Sequence, residues 1–392
     1  MKKTTLLFLL LICSFTGFCK PGAAKIYFRF KKGIPLAVGN EGIVCAKHNN
    51  ELYYATESYL NNTFDSPSIL IYVLNFNSDK TDSFKLSLPH HTLWSLSCLT
   101  VNDKYIAIKC DSIYIFERNS KKLINFFSSY HSNEIKFLDS NRLLIYKNYD
   151  FHPLDDSIKT NLIIYNIEKK QLISSIKPQF NYIGYTHLVS EYIAVNSDKI
   201  AFAQTMPYDV KIFSTKDLSQ ISEITEAFNN DPKQLEKIDS LHQVHNHNFS
   251  DVKEFIFKLK AIDSITRIEK VLFLTDDTLL ISKKIPQSGF KERALDVWVL
   301  NKKNKKWSCI VKDQFYKTEK NDTNYLVTSE SLPIDLTFSS PMIEDGHTIY
   351  LSGEYVPPVI GDYSNNYKKY QDTYYSTNEI KQFLWMFTWE IK

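Results

Sequence analysis

Glycine and methionine are scarce in this 392-residue chain, with 10 and 4 copies. Glycines this few cannot build a collagen-like or low-complexity protein. Beyond the first 24 residues, no apolar run reaches the roughly 18 residues that a membrane-spanning helix needs. Cysteine is sparse as well, and Cys45, Cys98, Cys110 and Cys309 stand at irregular spacing with no C-x-x-C pair. That argues against a disulfide scaffold or a zinc ribbon. Cys45, Cys98 and Cys110 fall inside apolar strand patterns, where buried thiols are the expected outcome. The motifs GxSxG, HExxH, GxGxxG and the P-loop are absent, so no familiar catalytic signature is present and no cofactor is expected.

The opening residues, "MKKTTLLFLLLICSFTGFCKPGAAK", have a basic start at Lys2 and Lys3 and an apolar stretch from Leu6 to Ile12. The stretch is too short to span a bilayer, and Gly22-Ala23-Ala24 offers small residues for cleavage. Residues 1–24 are therefore expected to be a secretory signal peptide, leaving 25–392 as the mature chain in the periplasm or at the cell surface. Two processing readings stay open: cleavage near Ala24, or lipid attachment at Cys19.

A surplus of charge is also missing. The chain carries 47 Lys+Arg and 44 Asp+Glu. The leader takes Lys2, Lys3 and Lys20 with it, which leaves the mature chain balanced. A balanced chain lacks the basic footprint of nucleic-acid binding.

Aromatics are plentiful at 14%, with 24 Tyr and 26 Phe, a composition that favours strands. One pattern recurs six times: "GIVCAKHNNELYYATES", "LSCLTVNDKYIAIKC", "EIKFLDSNRLLIYK", "EYIAVNSDKIAFAQ", "KVLFLTDDTLLISKK" and "PMIEDGHTIYLSG". Each copy has an apolar strand, a polar turn rich in Asn, Asp, Ser or Gly, and a second apolar strand. Asn and Asp suit such turns because they bond their own main chain and tolerate left-handed backbone. A third strand follows each hairpin ("SILIYVLNF", "DSIYIFER", "NLIIYNIE", "DVKIFSTK", "LDVWVLNKK", "FLWMFTWEI"). In the first five copies a polar turn and a fourth strand come next.

In "SIYIF", Ile113 and Ile115 face one way while Tyr114 and Phe116 face the other. Apolar residues on both faces require a sheet packed between two neighbours. Radial packing of four-stranded sheets meets that need and predicts an all-β, six-bladed β-propeller with antiparallel blades. The sixth copy stops one strand short, and "AKIYFRF" lies unused at the mature N-terminus. The N-terminal strand is thus expected to complete the sixth blade and close the ring, which also removes an exposed edge. A small helical insertion is expected at 227–265, between blades 4 and 5, from Asp231-Pro232 and the helical spacing of Leu235, Ile238 and Leu241.

The hairpin repeat, the count of six and the exported start resemble the six-bladed TolB-like propellers. More narrowly, they resemble uncharacterised secreted propellers of Bacteroidetes-type bacteria, a domain-of-unknown-function family. The resemblance covers nearly all of the mature chain, but its motifs are architectural and carry over no functional residue.

With strands a to d alternating in direction, the a–b and c–d turns share one face of the disc. The b–c loops and d–a crossovers share the other, and all the long insertions belong to that second set. Binding tends to reside on elaborated loops held by a rigid scaffold. Three stretches there hold candidate residues. The 148–157 loop carries His152 and Asp155. The 354–376 loop carries six tyrosines, among them Tyr363, Tyr367 and Tyr370, whose flat rings and polar tips suit a glycan, a peptide or a partner protein. "HQVHNH" supplies His242, His245 and His247, a weak metal candidate without a fixed third or fourth ligand. The expectation is a non-catalytic binding protein. A propeller hydrolase or lyase with a carboxylate or His site at the channel mouth is the alternative.

Overall fold

The computed structural model describes residues 24–36, 43–56, 68–89, 96–128, 132–147, 161–178, 193–204, 208–225, 266–286, 291–315, 342–345, 348–354 and 382–392. The expected helical insertion at 227–265 lies outside them, and the described residues contain no helix. None of them therefore forms a helix long and apolar enough to cross a membrane.

Among the described residues, twenty-four strands form six four-stranded antiparallel sheets, the blades of a propeller. The first strand is β1 (Ile26–Pro35). Blade 1 holds β2 (Ile43–His48), β3 (Glu51–Thr56), β4 (Ser68–Asn75) and β5 (Lys80–Ser87). Blade 2 holds β6 (Cys98–Val101), β7 (Tyr105–Lys109), β8 (Ser112–Glu117) and β9 (Leu123–Ser128). In blade 3 come β10 (Ser132–Phe137), β11 (Arg142–Lys147), β12 (Asn161–Asn166) and β13 (Gln171–Ile176). Blade 4 runs through β14 (Ile193–Val195), β15 (Lys199–Gln204), β16 (Asp209–Ser214) and β17 (Gln220–Thr225). Blade 5 comprises β18 (Arg267–Thr275), β19 (Thr278–Pro286), β20 (Lys291–Asn301) and β21 (Lys306–Phe315). The last sheet joins β22 (Met342–Asp345), β23 (Thr348–Glu354) and β24 (Gln382–Ile391) to β1, in the order β1-β24-β23-β22. Within it β1 runs antiparallel to β24, with Ile26 opposite Ile391 and Pro35 opposite Phe383.

Apolar side chains on both faces of the strands put the core between blades rather than inside any one of them. Tyr114 and Phe116 pack in one cluster with Tyr53, Ile69 and Ile71 of blade 1. Ile113 and Ile115, on the opposite face of β8, pack with Ile135, Leu143 and Ile145 of blade 3. Leu144 and Tyr146 meet Ile200, Phe202 and Phe213 at the seam of blades 3 and 4. Val210 and Ile212 meet Val271, Leu279 and Ile281 at the next seam. Ile34 and Leu384 of the sixth sheet meet Ile43, Leu52 and Tyr54 of blade 1. Each fully buried side chain of this size contributes about 1.5–3 kcal/mol, so the seams carry most of the ring's stability.

The seam between blade 5 and the sixth sheet is made differently in the polar dimension. The Gln314 side chain accepts from the Ile26 N–H at 2.9 Å and donates to the Ile26 carbonyl at 2.7 Å. One amide thus satisfies both main-chain groups of a buried strand residue, which would otherwise be costly to leave unpaired.

The turns follow the chemistry of their residues. Asn102, Asp139 and Asn196 occupy matching places in the a–b turns of blades 2, 3 and 4. The Oδ1 of each accepts from the N–H groups two and three residues on. The c–d turns place Asp79, Lys121, Lys170, Leu218 and Lys305 at φ between 51° and 63°. Leu218 is an unusual choice for left-handed backbone; its side chain is buried in the seam of blades 3 and 4, which holds it there.

A feature of the outer strands was not anticipated. In blades 2 to 5 an isoleucine is the extra residue where the pairing of strand c with strand d shifts register: Ile124, Ile173, Ile221 and Ile310. Bulges twist an edge away from further pairing. A ring of outer edges is thereby blunted by the same device four times.

Candidate functional site

The a–b and c–d connections span two to five residues, and every longer connection joins b to c or d to the next a. Antiparallel order therefore divides the disc into a short-turn face and a long-loop face. His152, Asp155, Tyr363, Tyr367 and Tyr370 all belong to long-loop connections and lie outside the described residues, as do His242, His245 and His247. Among the described residues no group of three or more His, Cys, Asp or Glu could hold a metal ion.

At the long-loop end the described strands hold polar groups that strand patterning alone does not mark. In β19, Leu279, Ile281 and Lys283 alternate onto the face toward blade 4. Asp296 of β20 lies opposite Ile281 and shares that face. Lys283 is 1% exposed and Asp296 0%. The Lys283 Nζ lies 2.5 Å from Asp296 Oδ2 and 2.6 Å from Asp313 Oδ1. Tyr208 donates to Asp296 Oδ2 at 2.9 Å, and Trp298 Nε1 donates to the Tyr208 hydroxyl at 2.9 Å. Asp296 Oδ1 accepts the Asp313 N–H at 2.8 Å.

The local fold explains how Asp313 reaches this group. It has φ 50° and sits where the β20–β21 register breaks between Leu295 and Val297. The bulge turns Asp313 toward Lys283 while its neighbour Gln314 turns toward Ile26. Both oxygens of Asp296 are occupied, and its charge is matched, which is the condition for burying an ion pair without large loss.

The neighbouring seam has a different balance. Asp209 opens β16 and Lys211 follows on the same face, toward blade 3. The Lys211 Nζ lies 2.6 Å from Glu223 Oε2 but 3.6 Å from Asp209 Oδ2. Asp209 is 2% exposed, and its Oδ1 has no hydrogen-bond partner among the described residues. Burial pushes its carboxyl up to about 6, against the pull of Lys211 and with help from the Glu223 charge. On blade 3, Glu134 is buried beside this seam and its Oε2 accepts the Ile193 N–H at 3.2 Å.

Cysteine plays no comparable part. None of the four described cysteines is in a disulfide, and burial pushes the Cys110 thiol up to about 12. A thiol held that far from ionisation is a packing group rather than a nucleophile.

No protein-family model and no curated protein sequence matches the chain. Solved structures do show likeness. The β-propeller domain of the trilobed protease from Pyrococcus furiosus is 11% identical, with a TM-score of 0.39, over 81% of this chain and 78% of that one. A protein of unknown function from Bacteroides caccae is 7% identical, with a TM-score of 0.39, over 77% and 82%. The acylaminoacyl peptidase of Pyrococcus horikoshii is 10% identical, with a TM-score of 0.39, over 79% of this chain but only 42% of that one. Likeness at this level transfers no residue role and no activity.

Proposed function

We propose that this chain is an exported TolB-like propeller, its ring closed by β1, that binds a glycan, peptide or partner protein on the long-loop face without chemistry. The helical stretch expected at 227–265 covers part of that face. The observation that carries the reading is the sorting of connections: everything longer than five residues leaves one face. Strands with buried, mutually packed faces supply a rigid base for those loops. The tyrosine-rich 354–376 stretch supplies contact area at small entropic loss.

The test is binding to a glycan and peptide panel. Replacing Tyr363 and Tyr367 together by Ala should weaken capture at least tenfold while the melting temperature stays within a degree or two, because loop residues contribute little to the seams. The control belongs at an exposed turn residue on the opposite face, such as Asn304. Equal loss from Asn304→Ala would overturn the assignment of the face.

One observation favours the enzymatic alternative. Asp209 stands at the long-loop end with one oxygen unpartnered among the described residues and a carboxyl raised to about 6, a value suited to general acid–base work near neutral pH. Turnover on the same panel, abolished by Asp209→Asn with binding retained, would put that reading first.

A further inference from the structure

Charge on the short-turn face is arranged in two rings. The a–b turns near the centre of blades 1 to 5 are acidic on balance, with Glu51, Asp103, Asp139, Asp198, Asp276 and Asp277 among them. The c–d turns further out read "NSDKTD", "NSKK", "EKKQ", "KDLS" and "KKNKK", which together hold ten lysines and four carboxylates. Nine of those lysines are exposed, so the outer ring is open to a partner. Part of the inner acidity is answered by groups outside the rim: Arg142 Nε lies 2.6 Å from Asp139 Oδ2 and Arg118 Nη2 lies 2.8 Å from Glu51 Oε2, while among the rim lysines Lys302 is taken up by Asp277 at 2.6 Å. The periphery is left as a basic rim on a chain whose mature net charge is near zero.

A second observation concerns the start of the chain. Because Ile26 pairs with Ile391, β1 begins at the short-turn face. Lys25 is fixed there by two main-chain bonds to Lys392, of 2.6 and 2.9 Å. The leader therefore joins the propeller on the face that carries the basic rim. Cys19 precedes Lys25 by only a few residues, which at full extension span about 20 Å. A lipid on Cys19 would bring that face within about two Debye lengths of the bilayer.

We propose that the short-turn face is a membrane-apposed surface, whose rim of c–d turn lysines rests on anionic lipid headgroups and leaves the long-loop face pointing outward. The rim suits an extended anionic surface because the c–d turns of five consecutive blades all open on the same face of the disc. Basic residues near such a surface contribute about fivefold in binding each, and one acyl chain alone anchors only weakly, so chain and rim act together. This placement stands on the lysines and the position of Lys25 and does not depend on what the long-loop face binds.

The experiment is vesicle co-sedimentation of the full chain, with phosphatidylcholine vesicles against vesicles carrying about one-third phosphatidylglycerol, each at low and high salt. Binding should be stronger to the anionic vesicles and weaken as salt rises. The triple variant Lys169→Glu, Lys216→Glu, Lys303→Glu should lose about a hundredfold on anionic vesicles. The triple variant Lys85→Glu, Lys177→Glu, Lys312→Glu, with its charges on or just beyond the outer strands and away from the c–d turns, should lose no more than a few-fold. The leader contributes equally to every variant, so the contrast between the two triples reads the rim. Glutamine versions of both triples, with a cooperative melt recorded for each, guard against a folding defect. Equal losses from the two triples, no preference for anionic vesicles, or capture by soluble heparin without vesicle binding would each overturn the proposal.

Discussion

Asn102, at the short-turn end, crosses from blade 2 to donate to the Asp139 carbonyl at 2.8 Å. Arg142 then reaches from blade 3 to the Thr215 carbonyl at 2.7 Å, and Asn196 from blade 4 to the Asp276 carbonyl at 3.3 Å. His48 and Asp103 hydrogen-bond across the first seam at 2.9 Å. These links are many and individually modest. The long-loop end of blades 4 and 5 is built the other way, with Lys283 and Asp296 sealed from water at a single seam. Half-buried and exposed links of neutral groups lose only modestly when broken, since solvent can replace the partner. A buried charge that loses its partner has no such replacement. Two ends of the same strands are thus secured by quite different margins.

The sharpest way to break the contrast is Lys283→Met. It strands the buried Asp296 carboxylate, and the loss should be about 3–5 kcal/mol by chemical denaturation. The double variant Lys283→Met/Asp296→Leu should recover much of it. A single variant within 1 kcal/mol of the parent would mean that water reaches the pair after all.

Asp209 tests the long-loop end with the opposite sign. Its folded pKa of about 6 lies above the ordinary carboxyl value of 3.8. The folded state therefore holds the proton more tightly, and the stability this confers is present below about pH 4 and lost as pH rises toward 6. Asp209→Asn should gain about 1–2 kcal/mol at pH 7.5 and nothing at pH 4, read from melts at both values. A loss at pH 7.5 would show that Lys211 needs Asp209 as well as Glu223.

The smallest effect belongs to the short-turn end. Asn102→Ala removes the one turn acceptor that serves two N–H groups and one seam donor, so a loss of about 1–2 kcal/mol is expected. Lys104→Ala, which breaks only the exposed 3.0 Å pair with Glu168, should melt indistinguishably from the parent. If Lys104→Ala matched Asn102→Ala, the exposed pairs would be carrying more of the seam than their solvation allows.

Much of the blade architecture is legible in the sequence. The six quoted hairpins correspond to the six β-hairpins from β2–β3 through β22–β23, and the two-faced burial read from Ile113 to Phe116 is what the seams display. Short-range alternation and turn chemistry determine those features, so a single sequence exposes them. Lys283 and Asp296 escape a pattern reading because Ser282-Lys283-Lys284 looks like a polar strand end and Asp296 like a single break in an apolar run. A usable signal existed: both fall at inward parity, and pairing the hairpin in register sets Ile281 opposite Asp296. The bulged isoleucines left no such trace, since an extra residue in an outer strand changes the register without changing the pattern. The loop residues proposed for binding depend on how long connections pack, which periodicity does not encode.

Gln314 and Ile26 lie 288 positions apart. Five sheets are each assembled from consecutive strands and can form as the chain emerges, but the sixth contains the earliest strand and the latest. During synthesis β1 has no partner until β24 arrives, and closing so long a loop is slow. Its backbone edge stays exposed through that interval, the stage at which strands are prone to pair with the wrong chain. The molecule's vulnerability is thus a matter of time: whatever delays the last strand lengthens the exposure of the first.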